Sequence, residues 1–234
     1  MRGYVIAIDG PAASGKGTIV QLLTEQLHGV NIYTGGMYRA LALACLRGKI
    51  VFTDTTSVLR LLSTSEISLG DESNLSVVAT IYLNGENVTE AIKTPEAAIG
   101  AGKVVQVPGV REEIVKRQKE LSFRLVSKGK VVILDGQDTA MYVYPQAEVK
   151  IFLTASQEVR AKRRQKQYEK QGLYKSLDEM LREIKIRDHQ DWSRVLHPLS
   201  SDPEKDGYFL VDSSDLNEYQ TRDIILKKIT SLHL

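Results

Sequence analysis

The sequence predicts a doubly wound α/β fold built on a parallel sheet of five strands, and three observations carry that prediction. Five short, β-branched apolar runs recur along the chain: YVIAI at 4–8, VNIY at 30–33, VVIL at 131–134, VKIFL at 149–153 and YFLV at 208–211. Runs of this length suit strands buried on both faces. Longer segments with helical spacing separate them, as right-handed crossovers between parallel strands require. A glycine-rich loop bearing a lysine follows the first run directly.

Taken in order, YVIAI leads into GPAASGKGT at 10–18, and the amphipathic TIVQLLTEQL at 18–27 returns the chain to VNIY. TGGMYR at 34–39 opens a helix straight after that second strand. EISLG at 66–70 and LSVVATIYLNGENVT at 75–89 then alternate in period two. Asn84-Gly85 inside the second of these is a two-residue hairpin signal, because both turn positions want positive φ. A small antiparallel insertion is therefore expected over 63–94, ahead of the long helix REEIVKRQKELSFRLV at 111–126. VVIL ends at Asp135-Gly136-Gln137-Asp138, and VKIFL precedes a basic run from Arg160 to a closing Gly172. SLDEMLREIKIRD at 176–188, YFLV and DLNEYQTRDIILKKI at 215–229 complete the alternation. With 234 residues, 42% hydrophobic, and no repeat or low-complexity linker, a single domain over 1–234 is expected.

The charge balance narrows the function. Thirty-one Lys and Arg against 29 Asp and Glu leave a formal +2, too even for a general nucleic-acid or anionic-membrane binder, which needs clustered positive charge. Any basic site must be local. The one cysteine, Cys45, excludes an internal disulfide framework and a Cys-rich metal site, and its setting in ALALACL reads as core. MRGYVIAIDG reaches Asp9 and Gly10 before a signal-peptide core could form, and no apolar stretch approaches the roughly 20 residues of a membrane span. A soluble, cytoplasmic protein is expected.

Gly10 to Thr18 fits the phosphate-loop spacing of two glycines bracketing four residues, then Lys16. The glycines let backbone N–H groups turn onto phosphate oxygens. The helix starting near Lys16 points its positive end at the same place, and Lys16 adds a mobile charge. The residue after Lys16 is Gly17, with the hydroxyl delayed to Thr18. A second anionic substrate would need its own cations, and three clusters offer them. Thr34-Gly35-Gly36-Met37-Tyr38-Arg39 puts a hydroxyl and two glycines at a helix start, with Arg39 one turn in as a bidentate donor. Asp135 and Asp138 follow VVIL at the carboxyl edge, where open α/β sheets bind ligands; Asp135 would orient a metal through water. Arg187, Asp191 and Arg194 stand at spacings of four and three, sharing one face if helical, with Trp192 and Leu196 packing that helix.

Together these residues resemble the bacterial cytidylate kinase family, type 1, within the phosphate-loop nucleoside monophosphate kinases. GPAASGKGT, TGGMYR, the hairpin insertion, VPGVR at 107–111, LDGQD, VKIFLTAS, RAKRR and IKIRD all stand in the family's order, over nearly the whole chain. The resemblance implies an enzyme of pyrimidine nucleotide metabolism that phosphorylates CMP and dCMP from ATP with Mg²⁺, acting as a monomer on small-molecule partners. It implies that Gly10, Pro11, Ala12, Ala13, Ser14, Gly15, Lys16, Gly17 and Thr18 bind ATP, with Arg160, Lys162, Arg163 and Arg164 in a lid over 157–175. Thr34 and Arg39 would meet the acceptor phosphate, Arg111, Asp138 and Arg194 the cytosine, and Arg187 with Asp191 the pentose. Lys16, Arg39, Arg163 and Arg187 would carry catalysis. Any protein contact to Mg²⁺ would come from Thr18 or Asp135, through water.

The chain departs from the family pattern at four places. Gln137 stands for the usual Arg, Tyr33 for an Asp, Gly102 for a Ser, and Thr139-Ala140-Met141-Tyr142 for a Gly-bearing turn. All fall on the acceptor side. Two other readings accordingly stay open: a kinase with another acceptor, such as UMP or a non-nucleotide hydroxyl compound, and a nucleotide-binding protein of low turnover.

Overall fold

The computed structural model describes residues 2–69, 80–170, 172–194 and 197–233. Strands β1 (Tyr4–Asp9) and β2 (Val30–Tyr33) are joined by helix α1 (Lys16–Gln26), and α2 (Thr34–Arg47) and α3 (Thr55–Thr64) follow. Next come β3 (Ile67–Leu69), β4 (Ile81–Leu83), β5 (Glu86–Asn87), a 3₁₀ turn at Ala91–Lys93, α4 (Pro95–Val104) and α5 (Val110–Ser127). β6 (Val131–Asp135) and β7 (Val149–Thr154) flank a π-helical turn at Thr139–Val143. The chain then forms α6 (Gln157–Lys170), α7 (Leu177–Trp192), β8 (Phe209–Asp212) and α8 (Glu218–Ser231).

The main sheet has the order β2-β6-β1-β7-β8 with every neighbouring pair parallel. β1 is central and buried along its whole length, which explains a run with no polar face. Its side chains alternate between two cores. Val5 and Ala7 pack with Leu134 and with Leu125 of α5, while Ile6 and Ile8 pack with Leu23 of α1 and Ile225 of α8. Burying each of the Val, Ile and Leu side chains here contributes about 1.5–3 kcal/mol, and truncating Ile6 to Ala would cost about 2–5 kcal/mol, the cavity it leaves included.

A third core joins Leu41 and Cys45 of α2 to Leu62 of α3, Ile81 of β4 and Val104 of α4. Here lies the antiparallel sheet β3-β4-β5. Its turn has Asn84 at φ 51° and Gly85 at φ 80°, the pair of positive angles that Asn-Gly favours. The predicted alternation at 75–79 lies outside the described residues. Helices α2, α3 and α4 share the core beneath it.

Two boundary differences bear on the site. Tyr208 precedes β8 because its N–H bonds to Pro203 O in a turn. α7 ends at Trp192, so Arg194 lies past the helix that was expected to carry it; Leu196 lies outside the described residues. At its other end α7 is closed by a capping box, Ser176 Oγ accepting from Glu179 N and Glu179 Oε2 accepting from Ser176 N.

Candidate active site

The loop from Gly10 to Thr18 crosses the carboxyl end of β1. Gly10 has φ 147°, and a Cβ there would stand 2.0 Å from Leu153 O, so only glycine lets the loop pass against β7. Gly15 caps α1 at φ 99° without a side-chain cap, and the first turn holds no acidic residue. The helix start is thereby open to an anion. Lys16 Nζ donates to Gly10 O at 2.7 Å and Pro11 O at 2.9 Å, threading its own loop. Burial pulls its pKa down, and Asp135, Asp9 and Asp191 oppose that.

Behind the loop, Asp9 is fully buried and accepts four hydrogen bonds, from Thr139 N and Oγ1, Ala140 N and Tyr208 Oη. It holds the π turn onto β1. Burial and Asp9 push the Tyr208 hydroxyl pKa up, which keeps it a donor. Asp135, at the end of β6, is pushed up to about 6 by burial, against the pull of Lys16.

Two cavities reach the first turn of α1. One, of about 190 Å³, is lined by Gly17, Asn31, Tyr33, Arg39, Lys93 and Asp135 among others. The second, of about 270 Å³, is lined by Ser14, Gly15, Thr18, Arg163, Lys166 and Ser213 among others. Arg163 donates to Ser14 O at 2.8 Å and to Ser213 O at 2.8 Å, tying the phosphate loop to the end of β8. Burial lowers its pKa, while Glu218 and Asp212 act the other way.

The acceptor-side residues expected from sequence, Thr34 aside, fall into three groups. Arg39 borders the first cavity and donates to Ile92 O at 3.0 Å. Arg187, Asp191, Arg194 and Gln137 form one network. Asp191, fully buried, accepts from Arg187 Nε at 3.2 Å, from Gln137 Nε2 at 2.5 Å and from Arg194, while Gln137 Oε1 accepts from Arg194 at 2.7 Å. Arg111 pairs with Asp138 and donates from Nε to His197 Nδ1 at 2.6 Å.

Two expectations are corrected by this geometry. Arg160 is no exposed lid cation: it is 3% exposed and holds buried Asp188 through two bonds of 2.7 and 2.6 Å. That pair joins α6 to α7, and the exposed cations of the basic run are Lys162, Arg164, Lys166 and Lys170, with Arg164 lying over the Tyr168 ring at 4.9 Å. Thr34 is buried and its hydroxyl donates to Asp135 O at 2.8 Å, fixing the DG turn instead of facing the cavity. Gly102 stands exposed on α4 with open space at its Cβ position. Sequence reasoning missed Asp188, Ser213, Tyr142 and His197 as members of the site's frame. Only Ser213, at the carboxyl end of a predicted strand, carried a usable signal.

A family model described as cytidylate kinase matches residues 6–231. The chain belongs to the cytidylate kinase family. A cytidylate kinase from Mycoplasmopsis agalactiae is 38% identical over 221 residues, covering 94% of each chain. A bifunctional pantoate ligase/cytidylate kinase from a Synechococcus strain is 36% identical over 226 residues, 97% of this chain, which spans 40% of that relative's length. The fold resembles the crystal structure of TT1252 from Thermus thermophilus, at a TM-score of 0.52 and 15% identity over 99% of this chain and 98% of that one. Of this chain's departures from the cytidylate kinase pattern, Gln137 lies in the Asp191 network and Tyr33 lies beside Arg39 with its ring over Gly35 and Gly36.

Proposed function

We propose that the protein transfers the γ-phosphoryl group of ATP to CMP, and to dCMP, giving ADP and the nucleoside diphosphate. The observation that carries this reading is the pair of cavities reaching one helix start, with Gly15 and Thr18 lining one and Gly17 the other. Phosphoryl transfer asks the protein mainly for positioning and charge neutralisation, and two anions brought to one positive helix end meet both needs.

In this reading ATP lies in the cavity of Arg163 and Ser213, its phosphates on the loop N–H groups. Lys16 leaves its loop carbonyls for the phosphates. The acceptor's phosphate enters the cavity of Arg39, and a phosphate oxygen attacks the γ phosphorus in line as the bond to the β-phosphate oxygen breaks. Arg187 supports the developing charge, and Asp191 takes a pentose hydroxyl. Arg111, Asp138 and Arg194 meet the cytosine. Asp135 and Thr18 suit Mg²⁺ held through water, since a carboxyl raised to about 6 by burial gains from a nearby cation. When bound, Mg²⁺ would shield the charge shared by the β and γ phosphates. The even charge balance supports small-molecule partners over nucleic acid. We further propose a monomer acting in the cytoplasm, in pyrimidine nucleotide metabolism.

The test is ADP formation by the purified protein with ATP and Mg²⁺, adding CMP, dCMP, UMP, AMP or no acceptor. Acceleration by CMP and dCMP alone is expected. Acceleration by another acceptor, or by none while ATP still binds, would overturn the assignment.

A further inference from the structure

Arg111 is 8% exposed, and a buried guanidinium must be paired and aimed. Asp138 pairs with one of its terminal nitrogens. A single carboxylate contact leaves the guanidinium plane free to pivot about it. The second contact, from Nε to His197 Nδ1 at 2.6 Å, removes that freedom. Because an arginine N–H only donates, Nδ1 must accept, which requires the neutral imidazole with its proton on Nε2. The ring itself lies flat on Tyr142, with centroids 3.8 Å apart and planes 2° from parallel. His197 also adopts φ 55° directly before Pro198, an uncommon conformation for a residue with a side chain. Its side chain is 29% exposed, so it does not fill a core. Backbone, stacking partner and hydrogen bond all converge on Arg111.

We infer that His197, seated on Tyr142, is a positioning residue that fixes the plane of Arg111 and thereby sets how sharply the protein discriminates the acceptor base. The inference rests on the reading of Arg111 and Asp138 as the residues that meet the base. It concerns neither the phosphates nor ATP, so its signature is confined to the acceptor.

The experiment compares His197→Ala, His197→Asn and Arg111→Lys in steady-state turnover with CMP and UMP, and in calorimetric titration of CMP without ATP. His197→Ala is expected to raise the KM and Kd for CMP about tenfold while kcat and the KM for ATP stay within about twofold, the loss of one charge-assisted hydrogen bond. Its preference for CMP over UMP should fall. His197→Asn should recover most of the loss, since its amide oxygen takes the place of Nδ1 and Asn tolerates positive φ. Unchanged CMP binding by His197→Ala, equal effects on CMP and ATP, or no recovery by His197→Asn would overturn the inference. Arg111→Lys separates the two ideas. Weakened CMP binding there with none in His197→Ala would sink the inference alone, and unchanged binding in Arg111→Lys would sink the base reading with it.

Discussion

Gln137 donates from Nε2 to Asp191 Oδ2 at 2.5 Å, and its own Oε1 accepts from Arg194 at 2.7 Å. A neutral amide here satisfies a carboxylate and a guanidinium at once, which an arginine could not do, having no acceptor.

Gln137→Leu keeps the approximate volume and removes both bonds. Asp191 is fully buried, so the variant should lose about 1–3 kcal/mol of stability. Urea unfolding with an unchanged midpoint would show that Arg187 and Arg194 already satisfy the carboxylate.

Lys16 makes hydrogen bonds to two carbonyls of its own loop, so removing it should spare the fold. Lys16→Ala is expected to lower turnover by about a hundredfold or more, the usual scale for a lost transition-state cation, with an unchanged circular dichroism spectrum. Residual turnover near wild type would remove the loop lysine from the mechanism.

Arg160 and Asp188 are both buried, and breaking such a pair costs more than replacing it. Arg160→Met alone should destabilise by about 3–5 kcal/mol, and Asp188→Leu added to it should recover much of the loss. Denaturant unfolding of the single and double variants decides whether the pair is structural. A large loss of ATP affinity with intact stability would return Arg160 to the phosphates.

The Asp135 carboxyl is raised from 3.8 to about 6 because burial outweighs the attraction of Lys16. The native state then binds this proton more tightly than the unfolded chain. Its stabilising share is fully present below pH 3.8 and lost as pH rises through about 6. Asp135→Asn should be the more stable protein at pH 7, by on the order of 1–3 kcal/mol, with the difference closing toward pH 4. Thermal melts across that range test it, and a constant difference would mean that Asp135 is not the titrating group. The same variant should turn over poorly at pH 7, where the ionised carboxylate is expected to serve.

The five strands and the Asn84-Gly85 turn were legible from the sequence because each rests on local chemistry: β-branched runs, helical period, and two residues that accept positive φ. So was the phosphate loop, whose glycines and lysine lie within nine residues. What the sequence could not reveal was how long-range neighbours would use the charged residues. Arg160 belonged by spacing to a basic lid, yet it turns inward to Asp188, 28 positions away. Thr34 looked like a phosphate hydroxyl and instead bonds to Asp135 O, 101 positions on. His197 carried no motif, and its partner Arg111 lies 86 residues earlier. Local sequence determined the elements, the loop and the family. Tertiary packing alone decided which cations stay free for a ligand, because burial forces a charge to find a partner wherever the fold supplies one.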